Sequence, residues 1–278
     1  MEKISQRARR IAEEIARRTT CDHYRLVLNE QRPPDVTGSK VGGSPYWPAD
    51  EPYPVDEQGR PMLMLMQVNC AEAHLQSPLP VQGILQWYIS LNPEWMYGCR
   101  GNFDDQGNGF KVVYHETVRG GNPPARVPTH GNVDEMLTPV KREVAIDVLA
   151  EPTVMGVNDG HFNRLFFEIV KEITGVEHSG KMWHEYLDNE DCLYFEKNLG
   201  MRRPCHQMLG YPVFDQGDAR RDMDSHDTLL FQLASQFSTR DRKELVMWGD
   251  MGNGFVFIHH DDLMARNFSR AYYCWDCG

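Results

Sequence analysis

Short apolar runs, separated by loops rich in glycine and proline, constrain the fold of this chain most strongly. In residues 140–148, Val144, Ile146 and Val148 share one face with Val140, and charged side chains occupy the other face. A period of two residues is typical of a β-strand, whereas a helix has a period of 3.6. Comparable apolar runs predict strands at residues 62–68, 83–90, 110–115, 229–234, 244–248, 254–259 and 270–276. Asn253-Gly254 predicts a tight turn, so the sheets are expected to be mainly antiparallel.

Helices are predicted in two regions. Residues 1–22 form an amphipathic N-terminal helix, with Ala8, Ile11 and Ile15 on one stripe and a basic opposite face. This helix either packs on the body of the protein or docks on an acidic partner. A second helical segment, residues 160–199, contains one helix that ends at Gly175 and another over 184–199. The predicted fold class is therefore α+β, with a few peripheral helices.

The two ends of the chain resemble each other. Early in the chain, Pro45 precedes an apolar strand that contains Gln67, and an aromatic strand follows. Later, Pro212 precedes an apolar strand that contains Gln232, again followed by an aromatic strand. Repeated order of this kind predicts two pseudo-repeated lobes, at about 35–150 and 200–278, joined by the helical segment 160–199. Together they form one domain over residues 23–278.

Several motifs resemble those of the YwqG-like family of bacterial proteins. They are Lys-Val-Gly-Gly-Ser-Pro-Tyr-Trp-Pro from Lys40, Met-Leu-Met-Leu-Met-Gln from Met62, His-Gln-Met-Leu-Gly-Tyr-Pro from His206, Asp-Thr-Leu-Leu-Phe-Gln from Asp227 and Met-Trp-Gly-Asp from Met247. The resemblance covers about residues 35–278. It implies an α+β fold but supplies no catalytic residues, because the function of that family is unknown. Because some relatives in that family lie near toxin and immunity genes, the resemblance implies an immunity-type binding protein as one option.

Charge and hydropathy narrow the classes of partner. The chain of 278 residues has a formal net charge of −11, which argues against nonspecific binding to nucleic acid or to an anionic membrane. A basic protein partner is therefore expected more than an acidic one. No apolar run approaches the roughly 18 residues of a membrane span, and no signal peptide is evident, so a cytoplasmic location is predicted.

Three motifs approach a known chemistry and fail. Residues 175–181 nearly match a phosphate-binding loop, but Met182 stands where a magnesium-binding hydroxyl is needed. His184 and Glu185 begin a zinc-protease pattern whose second histidine is replaced by Asp188. Residues 102–107 resemble the start of a calcium loop, but Val113 occupies the position of the bidentate glutamate. No metal and no cofactor are therefore predicted.

Two further motifs have ordinary interpretations as well as functional ones. Cys274 and Cys277 form a Cys-x-x-Cys pair that lacks a following helix to lower a thiol pKa. A zinc site there would need ligands from elsewhere, such as Cys205 and His206. In residues 259–262, Asp261 or Asp262 is expected to cap a short helix that begins at Leu263, in preference to general acid–base chemistry.

The candidate binding residues are polar or tryptophan positions associated with the repeat. They are Lys40, Trp47, Gln67, His206, Asp215, Asp218, Gln232, Trp248 and Asp250. The loops that hold Trp47 and Trp248 are expected to present an aromatic ring and a carboxylate together, as binding clefts often do. The competing interpretation is that these polar groups bond internally.

Three functional hypotheses follow. The first is a binding or regulatory protein, whose cleft between the lobes accepts a small molecule or a protein segment. The second is an enzyme of unrecognised class that uses His and Asp residues of 206–218 and 248–262. The third is a structural protein that only oligomerises, and the oligomeric state itself is open.

Overall fold

The structure is a computed structural model. It describes residues 5–99, 104–105, 109–120, 127–178, 180–199, 205–220 and 222–278. The strands are β1 Cys21–Asn29, β2 Lys40–Val41, β3 Leu63–Asn69, β4 Ile84–Ile89, β5 Asp104–Asp105, β6 Phe110–His115, β7 Val144–Thr153, β8 His206–Leu209, β9 Thr228–Ala234, β10 Gln236–Phe237, β11 Glu244–Val246, β12 Asn253–Ile258 and β13 Tyr272–Asp276. The helices are α1 Gln6–Thr19, α2 Phe162–Thr174, α3 Trp183–Tyr186, α4 Asn189–Leu199 and α5 His260–Met264, with 3₁₀ turns at Glu135–Leu137 and Phe268–Arg270.

The described strands form one large antiparallel sheet and a small ribbon. The large sheet has 11 strands in the order β5-β13-β12-β9-β8-β1-β7-β2-β3-β4-β6, and β10 and β11 make the ribbon. The fold is α+β, as the sequence predicts. The sheet runs without a break from one predicted lobe into the other, so its strands do not separate the molecule into two bodies.

The order of strands is similar when the sheet is followed inward from either side. On one side β6, β4, β3 and β2 lead to β7, and on the other side β13, β12, β9 and β8 lead to β1. Directly paired residues form matching rows across the two sides. One row is Lys40, Gln67, Gln86 and Val113, and the other is Gln207, Gln232, Phe255 and Cys274. Both glutamines named in the repeat thus occupy the same place in their rows.

The central pair β1 and β7 was only partly expected from the sequence. Strand β1 is not among the strands predicted from the sequence, although its burial alternates along the strand between Tyr24 and Leu28. The strand predicted over 140–148 begins instead at Val144, because Val140 forms only an isolated bridge with Val246. The turn predicted at Asn253-Gly254 is wrong, since both residues belong to β12 and pair with β9 and β13.

The helices form a separate apolar layer. Ile11 and Ile15 of α1 pack with Phe166 and Ile169 of α2 and with Phe195 of α4, and all of them are fully buried. The apolar face of α1 is therefore covered by its neighbours. The helix predicted over 184–199 is two helices, α3 and α4, whereas α2 ends at Gly175 in the left-handed conformation as expected.

The main core lies between the two sides of the sheet. It contains Trp87 and Leu65 from one side and Phe231 and Val256 from the other. Two smaller apolar clusters flank it, one around Trp47 and Tyr88 and one around Phe214, Phe255 and Phe257. No helix in the described part of the chain is long and apolar enough to cross a membrane.

Candidate binding groove

Strand β6 is an open edge of the large sheet. Within the described residues it pairs only with β4, and it ends the strand order on that side. The Ser90 N–H donates to the Gly109 carbonyl oxygen at 2.8 Å, which identifies the hydrogen-bonded positions of this ladder. Because bonded and non-bonded pairs alternate in an antiparallel ladder, Lys111 and Val113 face β4 with their backbone groups. The N–H and C=O groups of Phe110, Val112 and Tyr114 therefore point away from β4.

These free backbone groups face a groove of about 580 Å³. One wall is the whole of residues 110–114, and the other wall is residues 266–269. The Arg266 guanidinium fixes the second wall, since it donates to the carbonyl oxygens of Leu79 and Leu263 at 3.1 and 2.9 Å. The groove thus has a backbone edge on one side and a held turn on the other.

Aromatic rings connect the two walls. The ring of Phe110 lies 5.4 Å from that of Tyr273 in β13, measured between centroids. The ring of Tyr114 lies 6.0 Å from that of Phe268 in the opposite wall. Phe110 and Tyr273 belong to the main core, and Tyr114 and Phe268 pack against it, so the groove lies next to that core.

The charged side chains that line the groove are Lys111 and Arg266, and none of the lining residues is acidic. The Lys111 ammonium donates to the Val55 carbonyl oxygen at 2.6 Å. In the described part of the chain, neither cation has a carboxylate within ion-pair distance. The groove is therefore locally positive on a protein whose formal net charge is −11.

The candidate residues of the first half lie elsewhere and are bonded internally. The Lys40 ammonium, almost fully buried, pairs with Glu143 at 2.9 Å. The Gln67 amide accepts from the Tyr46 N–H and donates to the carbonyl oxygens of Val36 and Gly38. Trp47 is buried too, and its indole N–H donates to the Glu51 carbonyl oxygen. The sequence predicted that this ring would be presented in a cleft, but it is not exposed to solvent.

Two candidates of the second half are buried in a similar way. The side-chain oxygen Oε1 of Gln232 accepts from the Val213 N–H at 3.0 Å. This hydrogen bond corresponds to the one between Gln67 and Tyr46. The His206 Nδ1 atom accepts from the Ala234 N–H, and its Nε2 atom lies 2.7 Å from Gln236 Oε1. Burial lowers the pKa of His206 to about 4, against the opposing effect of the Gln236 hydrogen bond. His206 is therefore neutral near pH 7.

The remaining candidates do not converge on one open cavity. Trp248 is fully buried over Gly254, where a Cβ atom would come within 2.3 Å of its ring, while Asp250 is exposed. Asp218 is occupied by an ion pair with Arg220. Asp215 accepts from the Asn253 amide at 2.7 Å, and burial raises its pKa. The expected presentation of Trp248 beside a carboxylate is not found.

Most of the motifs that resemble metal or redox sites lie within the described residues. No group of three or more metal-ligating His, Cys, Asp or Glu side chains occurs among the described residues. Cys274 is buried and Cys277 is partly buried. The predicted cap of α5 is corrected, because the His259 side chain accepts from the Asp261 N–H and the helix begins at His260. The calcium-like residues 102–107 fall mostly outside the described residues.

A known protein family matches most of this chain. Residues 39–277 match the model of a family described as a domain of unknown function, DUF1963. The chain belongs to the DUF1963 family. The match spans the groove and every candidate residue discussed above, and it begins after α1, β1 and most of the segment that follows β1. A search of curated proteins finds no match at the sequence level.

The sequence of this DUF1963 protein does not predict the groove. Residues 110–115 were predicted as a strand, and that prediction is confirmed, but nothing in them indicates an edge. A strand in the centre of a sheet can have the same alternation of apolar residues. The only local signal was Lys111, since lysine is common on exposed edge strands.

Proposed function

We propose that this protein is a binding protein that accepts an extended segment of a protein partner as an added strand on β6. The observation that carries the proposal is the row of backbone groups at Phe110, Val112 and Tyr114, which have no strand partner among the described residues and face an open groove. Strand addition uses such groups for affinity and the neighbouring side-chain surface for specificity. The groove volume of about 580 Å³ also falls in the usual range of ligand sites.

The position of the groove agrees with a cleft between two halves. Its β6 wall belongs to the 35–150 segment, and its 266–269 wall belongs to the 200–278 segment. We also propose that these segments arose by duplication of one unit, on the support of the two matching rows and of the paired Gln67 and Gln232 contacts. Membership of the YwqG-like family, a bacterial setting and an immunity-type role are further parts of this proposal and rest on motif resemblance. A cytoplasmic location is proposed as well, on the support of a sequence without an apolar run long enough to span a membrane.

Enzyme activity has less support from the side chains. His206 is buried, and Asp218 and Asp215 are engaged with Arg220 and Asn253. A general acid or base must reach the proton that it transfers, directly or through one water molecule. The contacts of these residues instead hold the 211–220 loop and strand β9.

The test uses a proline substitution that affects only the free edge. In V112P, the N–H lost is one that points away from β4, and proline is tolerated at such positions of edge strands. The control V113P removes an N–H that faces β4 and should destabilise the ladder. The probe is the neutral peptide acetyl-Thr-Val-Thr-Val-Thr-amide, followed by amide NMR of the whole protein.

We expect the peptide to shift the Val112 and Tyr114 amide signals of the wild type and to leave the folded V112P protein unshifted around the groove. V113P should show a lower melting temperature than V112P. Absence of shifts in the wild type, or equal shifts in V112P, would contradict strand addition.

A further inference from the structure

We infer that the groove selects an acidic extended segment, which pairs antiparallel with β6 around Val112 and places its carboxylates near Lys111 and Arg266. This inference rests on the proposed strand addition and adds the chemistry of the partner. Two independent observations support it: the charge of the groove and a strand that the protein already places on its other edge.

The first observation is the lack of neutralisation within the groove. Lys111 and Arg266 bond to backbone carbonyl oxygens, and no acidic side chain is among the lining residues. Each cation therefore keeps its full charge and has unused attraction for a carboxylate. An acidic segment gains from both cations, whereas a basic one would be repelled by them. At this surface the inference therefore departs from the expectation of a basic partner, which was drawn from net charge.

The second observation is strand β5. Asp104 and Asp105 pair antiparallel with Cys274 and Tyr273 on the outer edge of β13. The rows through Gln67 and Gln232 match Val113 with Cys274, and hence Val112 with Tyr273. The β13 edge is thus covered by an Asp-Asp strand at the level where the β6 edge is open.

The backbone direction agrees at the two edges. The Ser235 N–H donates to the Gly252 carbonyl oxygen at 2.9 Å, so Gly254 and Val256 face β9 with their backbone groups. By alternation, Phe255 faces β13 and bonds Cys274, which leaves the backbone groups of Tyr273 facing β5. The backbone groups of Val112 likewise point away from β4 and into the groove. An acidic strand on β6 would therefore repeat at the first edge what β5 does at the second.

A second copy of this chain is the less favourable occupant. Antiparallel pairing of two β6 strands would bring two Lys111 side chains and two Arg266 walls to one interface, with no acidic lining residue to offset them. Like charges at close range destabilise a strand pair.

The experiment compares three acetylated and amidated peptides on the full chain. They are Thr-Val-Asp-Asp-Val-Thr, Thr-Val-Thr-Thr-Val-Thr and Thr-Val-Lys-Lys-Val-Thr, and their dissociation constants come from amide NMR titration at Val112 and Tyr114. We expect the acidic peptide to bind roughly fivefold to tenfold tighter than the neutral one, since two exposed ion pairs each contribute modestly. The lysine peptide should bind most weakly. The preference should shrink from about 0.01 M to about 1 M salt.

K111E should abolish the preference for the acidic peptide, and K181E is the control with the same change of charge at an exposed position of the helical layer. If the neutral peptide binds as tightly as the acidic one and both are lost in V112P, the acidic preference is wrong and strand addition stands. If no peptide binds, both proposals fail. If the acidic peptide still binds to V112P, it is held by general surface attraction and the inference is overturned. If the molecular mass of the protein rises without any peptide, the occupant of the groove is a second copy of this chain and the inference is likewise overturned.

Discussion

Buried polar side chains in this protein act mainly as anchors for loops. Gln67 makes hydrogen bonds to Tyr46, Val36 and Gly38, and Gln232 makes the corresponding bond to Val213. An unpaired backbone group in the interior costs free energy, so a glutamine at such a place stabilises a loop without any ligand. Two of the candidate binding residues, Gln67 and Gln232, are therefore loop anchors in this structure.

His206 leads to a prediction about pH. Its Nδ1 accepts from the Ala234 N–H, so Nε2 carries the proton that is donated to Gln236. Burial lowers the pKa of His206 to about 4 in the folded state, below its ordinary value of 6.5. The unfolded state therefore binds a proton first, and folding stability falls as the pH falls from about 6.5 to about 4.

The variant H206Q cannot titrate in this range. Urea unfolding from pH 7 to pH 4 should show the wild type losing up to about 3 kcal/mol relative to H206Q. Burial also lowers the pKa of His115 and His130, so the comparison between the two proteins isolates the contribution of His206. A constant difference across this range would show that His206 is not a buried neutral histidine.

At the scale of elements, hydrogen bonds at the ends of helices and strands decide how each one is held. The Ser5 hydroxyl accepts from the Ala8 N–H at 3.0 Å as the N-cap of α1, and it donates to Asp191 at the buried start of α4. The Ser5 N–H also donates to Asp191 at 2.9 Å. One residue thus caps one helix and ties it to another.

Substitution S5A removes the cap and one donor to the buried Asp191 carboxylate. We expect a loss of about 1–3 kcal/mol in the free energy of unfolding, measured by urea denaturation. T20A is the matched control, because the exposed Thr20 hydroxyl only donates to the Ala16 carbonyl oxygen at the other end of α1. T20A should change stability by less than about 0.5 kcal/mol. Equal effects of the two variants would contradict the role given to Ser5.

At the scale of the molecule, the two halves are joined through strand β1. It precedes the first half in the chain but pairs with β8 of the second half, whereas β7 lies at the end of the first half and pairs with β2 of the same half. β1 and β7 pair with each other over nine residues. The predicted lobe 200–278 therefore does not contain all the strands that its own side of the sheet needs.

A fragment of the protein tests whether β8 depends on its pairing with β1. Residues 200–278 expressed alone lack β1, so β8 would lose its neighbour and the apolar core shared with Trp87 would be exposed. We expect this fragment to show poor dispersion of amide NMR signals and no cooperative thermal transition. A well-folded monomeric fragment would instead support independent lobes.

Local sequence was sufficient for much of the fold. The apolar runs in residues 110–115 and 254–259 and the apolar stripe of α2 correctly indicated strands and a helix. Side-chain periodicity reports which face of an element is buried, and this information is present in a short window. The α+β class and the position of most strands could therefore be predicted.

Tertiary contacts decided the rest. Whether β6 is an edge depends on the other strands of the sheet, and whether Trp47 or Trp248 is buried depends on residues far away in the chain. No local pattern encodes a pairing partner, because strand pairing is fixed by long-range packing. The groove beside Val112 exists for that reason only in the folded molecule.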